Sequence, residues 1–272
     1  MPYDPRKELK RVQGYYNQDT MQKRFSAIIS GDIGSGKTFL LSTARFPVHI
    51  DSFDPGGTKC LAPWIKKGDI VVDTRWETED PYSPTVYAEW IKDTEVRIKT
   101  GYFDMFGTYA LDLSMFSDAV MNFQQNLAGR AGEVPQHRRD YNPQKTIIVN
   151  KLKRLMSLKC DFLLLAHLRE LEESTTDSKG NILKTYRYRL NITGNAVLTI
   201  PLQFDELYVL TGKGSPVKRE MLIESQGKYI ARSRLKSDKN LSCKVEPNIK
   251  KFLKLAGLKW ENKPKLNFGK DD

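Results

Sequence analysis

The chain has 272 residues, 39% hydrophobic and 28% charged, and its 44 basic against 33 acidic side chains give a net charge of +11. This composition excludes a disordered chain, and no apolar run approaches the roughly 18 residues of a spanning helix, so one large globular domain with at most a small appendage is expected. Three cysteines and three histidines are too few and too scattered for a zinc signature, while the basic excess favours a polyanionic partner such as nucleic acid.

The polar start, residues 1–20, argues against a secretory signal and sets the expectation of a cytoplasmic protein. Arg6, Lys7, Lys10 and Arg11 make residues 1–24 a basic arm. Phe25-Ser26-Ala27-Ile28-Ile29 then reads as a buried strand and Phe39-Leu40-Leu41-Ser42-Thr43-Ala44 as the opening of a helix. Between them, Gly31-Asp32-Ile33-Gly34-Ser35-Gly36-Lys37-Thr38 satisfies the phosphate-loop pattern G-x-x-x-x-G-K-[ST] in its required strand, loop, helix context. Glycines let successive amides converge on phosphate oxygens, Lys37 is placed to reach the β- and γ-phosphates, and the Thr38 hydroxyl to join a Mg2+ shell. ATP with Mg2+ is the ligand this motif predicts.

In a mostly parallel sheet, ligand groups gather at the carboxyl ends of strands. Val48-His49-Ile50-Asp51 runs into Ser52-Phe53-Asp54-Pro55-Gly56-Gly57, whose turn residues leave Asp51 and Asp54 near the nucleotide edge; Asp54 is a candidate for polarising water, with capping of the turn as the alternative. A short strand at 69–73 and an acidic loop carrying Glu77, Glu79 and Asp80 follow, with Glu77 a second candidate catalytic carboxylate, and a helix is predicted over 84–100. Gly107-Thr108-Tyr109-Ala110-Leu111-Asp112-Leu113-Ser114 is an apolar strand ending in the carboxylate that holding Mg2+ requires, and Ser114 either faces the γ-phosphate or caps the next helix. In that helix Met115, Phe116, Ala119, Val120, Phe123 and Leu127 share a core-facing stripe.

Residues 128–141 read as a basic loop with Arg130, His137, Arg138 and Arg139, and with Tyr141 available for stacking on a base. A helix through Ile148, Leu152, Leu155 and Met156 leads to the buried strand Phe162-Leu163-Leu164-Leu165-Ala166, which delivers His167 to the phosphate edge as a candidate γ-phosphate sensor, with a histidine that ends the sheet on a local hydrogen bond as the alternative. Residues 168–193 are either a mobile loop or a polar hairpin turning at Ser178-Lys179-Gly180-Asn181. Beyond that turn Lys184, Arg187 and Arg189 alternate with Tyr186 and Tyr188, a strand that can offer cations on one side and aromatics on the other to single-stranded nucleic acid, or else an exposed hairpin of ordinary surface composition. Stretches 204–210, 219–223 and 228–234 read as antiparallel edge strands, and Lys228, Arg232 and Arg234 are candidate cations for a neighbouring subunit's γ-phosphate or for DNA. Residues 236–272, ten lysines against five acidic residues, form a basic appendage with one short helix and a loosely ordered tail from 259.

The motifs G-D-I-G-S-G-K-T, D-S-F-D-P-G-G, A-L-D-L-S, L-L-L-A-H and A-R-S-R-L, in this order from about residue 25 to 235, make the chain resemble the RecA-like ATPase core, and especially the phage ATP-binding proteins of the Sak single-strand-annealing type. The resemblance implies an α/β P-loop NTPase fold, a mostly parallel sheet flanked by helices with antiparallel edge strands. It implies an ATPase that couples nucleotide state to single-stranded DNA in recombination, in the cytoplasm of an infected bacterium. It also implies DNA loops at 129–141 and 168–193, and assembly into rings or filaments with active sites completed between subunits. The family's catalytic glutamate is not evident here, leaving Asp54 or Glu77 to substitute. A genome-packaging (terminase) ATPase or helicase, and a nucleotide-controlled assembly protein, are the competing functions.

Overall fold

Short apolar runs punctuated by glycine turns and amphipathic stretches build a sheet covered on both faces. The computed structural model describes residues 4–18, 24–176, 180, 182–192, 194–213, 218–235 and 241–268. Its strands are β1 (Ser26–Gly31), β2 (Val48–Asp51), β3 (Ile70–Asp73), β4 (Thr108–Asp112), β5 (Asp161–Thr176), β6 (Ile182–Leu190), β7 (Glu206–Lys213), β8 (Lys218–Leu222) and β9 (Lys244–Val245). The helices are α1 (Pro5–Gln18), α2 (Lys37–Leu40), α3 (Ala62–Lys66), α4 (Val86–Lys99), α5 (Leu113–Leu127), α6 (His137–Met156), α7 (Ala196–Thr199) and α8 (Ile249–Leu255).

The strand order is β3-β2-β4-β5-β1-β7-β8-β9. Along this order all ladders from β3 to β7 are parallel, β8 and β9 add antiparallel strands at one edge, and β6 pairs antiparallel with β5 off the path. This is the mostly parallel α/β sheet with antiparallel edge strands that was expected. Strand β5 lies between the phosphate-loop strand β1 and the Asp112 strand β4, with Gly31 paired to His167 and Asp112 to Leu165. One register therefore brings the loop, the carboxylate and the histidine to the same edge.

On one face α4, α5 and α6 bury Trp90, Phe116, Val120, Ile148 and Leu152 against Tyr109, Phe162 and Leu164. In α5, Phe116, Ala119 and Val120 are buried as expected, but Met115 and Leu127 at the helix ends are exposed. The opposite face departs from expectation. The helix after the phosphate loop is a single α-turn continued by a 3-10 turn, Leu41–Thr43, too short to cover the sheet. Its place is taken by α8, whose Ile249, Phe252 and Leu253 are buried among Phe25, Leu41 and Tyr208. Phe252 meets Tyr208 edge-on at 5.3 Å, and the Ile249 amide donates to Thr43 Oγ1 at 3.0 Å. The C-terminal segment is thus part of the core. Nor is residue run 259–268 loose: the Lys263 amide donates to Phe46 O (2.8 Å), the Phe46 amide to Asn262 Oδ1 (3.0 Å) and Arg45 Nε to Glu261 O (3.1 Å).

Two further corrections concern the edge. The strand beginning at Glu206 runs parallel to β1, and 228–234 is not a strand but touches its neighbours through isolated bridges at Tyr229 and Arg232. The predicted arm is helical, and α1 leaves Leu9, Val12 and Tyr15 exposed. Among the described residues no helix is long and apolar enough to cross a membrane.

Candidate nucleotide site

Gly31 ends β1 where any side chain would collide: a Cβ there would stand 2.6 Å from Ser35 Oγ and 2.7 Å from Leu210 O. The loop that follows is folded tightly enough to bury Ser35 and Lys37. Lys37 Nζ donates to the carbonyls of Gly31 and Asp32, both at 3.0 Å, and lies 3.3 Å from His167 Nδ1. Burial pulls its pKa below the ordinary lysine value, opposed by the carboxylates of Asp112, Asp32 and Asp54. Asp112 is displaced the other way: burial pushes it up, helped by Asp54 and resisted by the Met115 and Ser114 amides and by His167. Lysine and aspartate are both drawn toward neutrality, which is the electrostatic condition that a bound anion and a cation would relieve.

Asp112 also caps α5, accepting from the amides of Ser114 (2.9 Å) and Met115 (3.3 Å) through Oδ1. Ser114 is not the cap; its hydroxyl is buried without a partner among the described residues. Asp112, Thr38 and Asp54 line one small cavity of about 20 Å³, room for roughly one water. The predicted pair for Mg2+ and the first candidate for positioning water are thus together.

Glu77 is hydrogen-bonded to the turn after β2. Its Oε1 accepts from Ser52 Oγ at 2.7 Å and its Oε2 from the Gly56 amide at 3.1 Å, so it braces the turn that carries Asp54. Asp51 borders the same small cavity, but its carboxylate is engaged in the core. It is fully buried and accepts from Tyr109 Oη (2.7 Å), Trp90 Nε1 (2.8 Å), Arg97 (3.0 Å) and Trp76 Nε1 (3.4 Å), with His49 Nε2 at 3.0 Å. Burial alone raises its pKa, but His49, Arg97 and Tyr109 outweigh that and hold it well below the usual carboxylate range. It locks β2 to β4 and α4.

A cleft of about 750 Å³ opens beside the loop tip, lined by Asp32, Ile33, Ser114, Tyr141, Gln144 and His167. The basic segment bordering it is shorter as a loop than expected, because α6 starts at His137. Arg130 does not reach out from it: the guanidinium is tied to Asp140 and sits 3.6 Å from Glu133, closing the loop on itself. Arg138 and Arg139 are exposed, and Tyr141 lines the cleft.

The segment after His167 is the hairpin, made by Leu168–Thr176 of β5 pairing with β6; turn residues Ser178, Lys179 and Asn181, and Thr193, lie outside the described residues. Side-chain alternation puts Lys184 on the face of Tyr186 and Tyr188, with Arg187 and Arg189 opposite, which corrects the expected split. The cations are also paired in place: Lys184 with Glu172 (2.8 Å), Arg187 and Arg189 both with Glu173 (3.7 and 2.5 Å), and Lys228 with Glu170 (2.5 Å). Tyr186 donates to Glu172 at 2.9 Å, and Tyr188 stacks on Tyr229 at 4.8 Å. Phosphates would have to compete with these partners.

Of the candidate trans cations, Lys228 lies beside the hairpin, its ammonium 5.5 Å from the Tyr186 ring. Arg232 donates to Pro201 O and Phe204 O, and Arg234 pairs with Asp205 at 2.5 Å. Both arginines flank the start of β7, where Glu206 pairs with Ala27, at the edge opposite the phosphate loop. The cation that does lie against the loop is Arg219 of β8: a Cβ on Gly36 would stand 3.0 Å from its Nε and 3.1 Å from its Cδ. Sequence reasoning assigned Arg219 to an edge strand only, since its approach depends on the β7–β8 register, in which it pairs with Gly212.

No protein-family model matches the chain, and no curated protein does. Among solved structures the chain is similar to the flagellar accessory protein FlaH from Methanocaldococcus jannaschii, with 13% identity, 73% of this chain and 76% of that chain covered, and a TM-score of 0.35. A likeness this distant carries no argument about residues or chemistry.

Proposed function

We propose that the protein binds ATP with Mg2+ at residues 31–38 and hydrolyses it. The observation that carries this is the buried Lys37 ammonium, parked on its own loop carbonyls between Asp112, Asp54 and His167, beside a buried Ser35 hydroxyl that has no partner among the described residues. A lysine so placed exchanges carbonyl oxygens for phosphate oxygens with little motion, and the unpaired hydroxyl supplies another donor. Because α2 has one turn, its dipole is small, and the loop amides with Lys37 carry most of the anion binding. Thr38 and Asp112 would hold Mg2+, which supplies charge neutralisation at the phosphates. Asp54, braced through Glu77, orients water, and His167 senses the terminal phosphate at the root of the hairpin.

Coupling to DNA extends this reading, supported by the net charge of +11 and by exposed Arg138 and Arg139 next to a cleft that also touches the loop. Titration of Mg·ATP by calorimetry tests the core claim: Lys37→Ala should weaken binding by about 100-fold, from the loss of charged hydrogen bonds worth ~1.5–3 kcal/mol each. Equal affinity in the variant overturns it. Turnover measured without DNA, with single-stranded and with duplex DNA then separates a recombination protein from a motor, and DNA-insensitive, very slow turnover with nucleotide-dependent assembly indicates a switch.

A further inference from the structure

We infer that Arg219 is a phosphate-binding residue of the same subunit's nucleotide site, gripping the part of the phosphate chain that ATP and ADP share. The inference rests on the nucleotide reading and adds a residue to it.

Three observations place it. Gly36 holds φ +97°, and the space its missing side chain leaves is occupied by Arg219, with Nε 3.0 Å and Cζ 3.8 Å from where a Cβ would be. The loop is therefore open at that point to admit a guanidinium. Secondly, among the described residues the Arg219 side chain makes no ion pair or hydrogen bond, although its strand neighbour Glu220 pairs with Lys244 at 3.1 Å. An exposed arginine beside an anion-binding loop, with no carboxylate assigned to it, has its charge available. Thirdly, the sheet separates it from the other cation. Lys37 and His167 meet on the β5 side of β1, toward Asp112; Arg219 comes from the β7–β8 side, where Leu210 pairs with Gly31 and Gly212 with Arg219. Lys37, Asp112 and Asp54 define the end where the metal and terminal phosphate belong, so a cation on the opposite flank meets the inner phosphates. Guanidinium suits this position, because its planar fork binds phosphate oxygens in pairs and it is less strongly hydrated than an ammonium.

The test compares wild type with Arg219→Ala and Arg219→Lys by calorimetry with Mg·ATP and Mg·ADP, by steady-state turnover, and by melting of the ligand-free proteins. Arg219→Ala should weaken both nucleotides by about 10-fold, the worth of one charge-assisted contact, with kcat changed less than about 3-fold. Arg219→Lys should recover part of the affinity, and the ligand-free melting temperature should not move. Unchanged affinity in Arg219→Ala overturns the inference. So does a loss confined to kcat or to ATP, which would move Arg219 to the terminal phosphate, and so does a loss that tracks a lower melting temperature without rescue by lysine. If wild type itself binds no ATP, the nucleotide reading falls and takes this inference with it; if wild type binds and Arg219→Ala binds equally well, only this inference falls.

Discussion

Glu77 and Asp54 were both candidates for the carboxylate that prepares water, and their surroundings now assign them different behaviour under substitution. Glu77 accepts from a hydroxyl, Ser52 Oγ at 2.7 Å, and from an amide, Gly56 N at 3.1 Å. Glutamine satisfies both, since its oxygen can face the amide while its NH2 donates to a serine that turns its own proton elsewhere. A brace therefore survives as glutamine and fails as alanine. Glu77→Ala loses two hydrogen bonds to a charged acceptor, about 3 kcal/mol at ~1.5 kcal/mol each, while Glu77→Gln costs about 1 kcal/mol. For a chain of this size each kcal/mol moves Tm by roughly 2–4 °C, so the alanine variant should melt about 6–12 °C lower. Asp54→Asn should instead lower kcat by about 10²–10⁴, the usual range for a proton-handling group, with ATP affinity and stability nearly unchanged. Chemical denaturation and steady-state turnover of the three variants decide. If Glu77→Gln loses turnover as severely as Asp54→Asn while remaining as stable as wild type, Glu77 is the catalytic carboxylate and the reasoning is refuted.

Asp51→Asn leaves Arg97 and His49 facing a neutral group inside the core, and should cost about 3–5 kcal/mol in denaturant unfolding at neutral pH. Because the folded state depresses the Asp51 pKa, its contribution is fully present above the ordinary value of 3.8 and is lost as pH falls through the lower folded value, so the deficit of the variant should shrink in strong acid; a deficit constant with pH would contradict this. Phe252→Ala should destabilise by about 3–5 kcal/mol, since the ring is 1% exposed and packs on Tyr208; a change within about 0.5 kcal/mol would mean that α8 is an appendage after all. Gly31→Ala should abolish ATP binding and lower stability together, because its Cβ would meet Ser35 and the Leu210 carbonyl; full activity would show that the loop is free to shift.

What the sequence made legible follows from how locally each feature is specified. The phosphate loop needs eight consecutive residues, and Asp112 and His167 need only an apolar run that ends in a polar side chain, because parallel strands present their carboxyl ends at one edge whatever their order. The features that the sequence left open share the opposite property. Arg187 and Arg189 look like a basic stripe until the hairpin closes and Glu173, sixteen residues before Arg189, stands beside them. Glu77 looks like a free acid in a polar loop until Ser52 and Gly56 are folded against it. The length of the helix after Lys37 is decided by α8, more than 200 residues later, which supplies the apolar surface that a longer helix would have supplied. Arg219 is the extreme case, since nothing in its neighbours distinguishes it and only the pairing of Gly212 with Arg219, built upon that of Gly31 with Leu210, carries it to the loop. A motif therefore marks a local backbone shape, while the charges brought beside it, Arg219 among them, come from strand register.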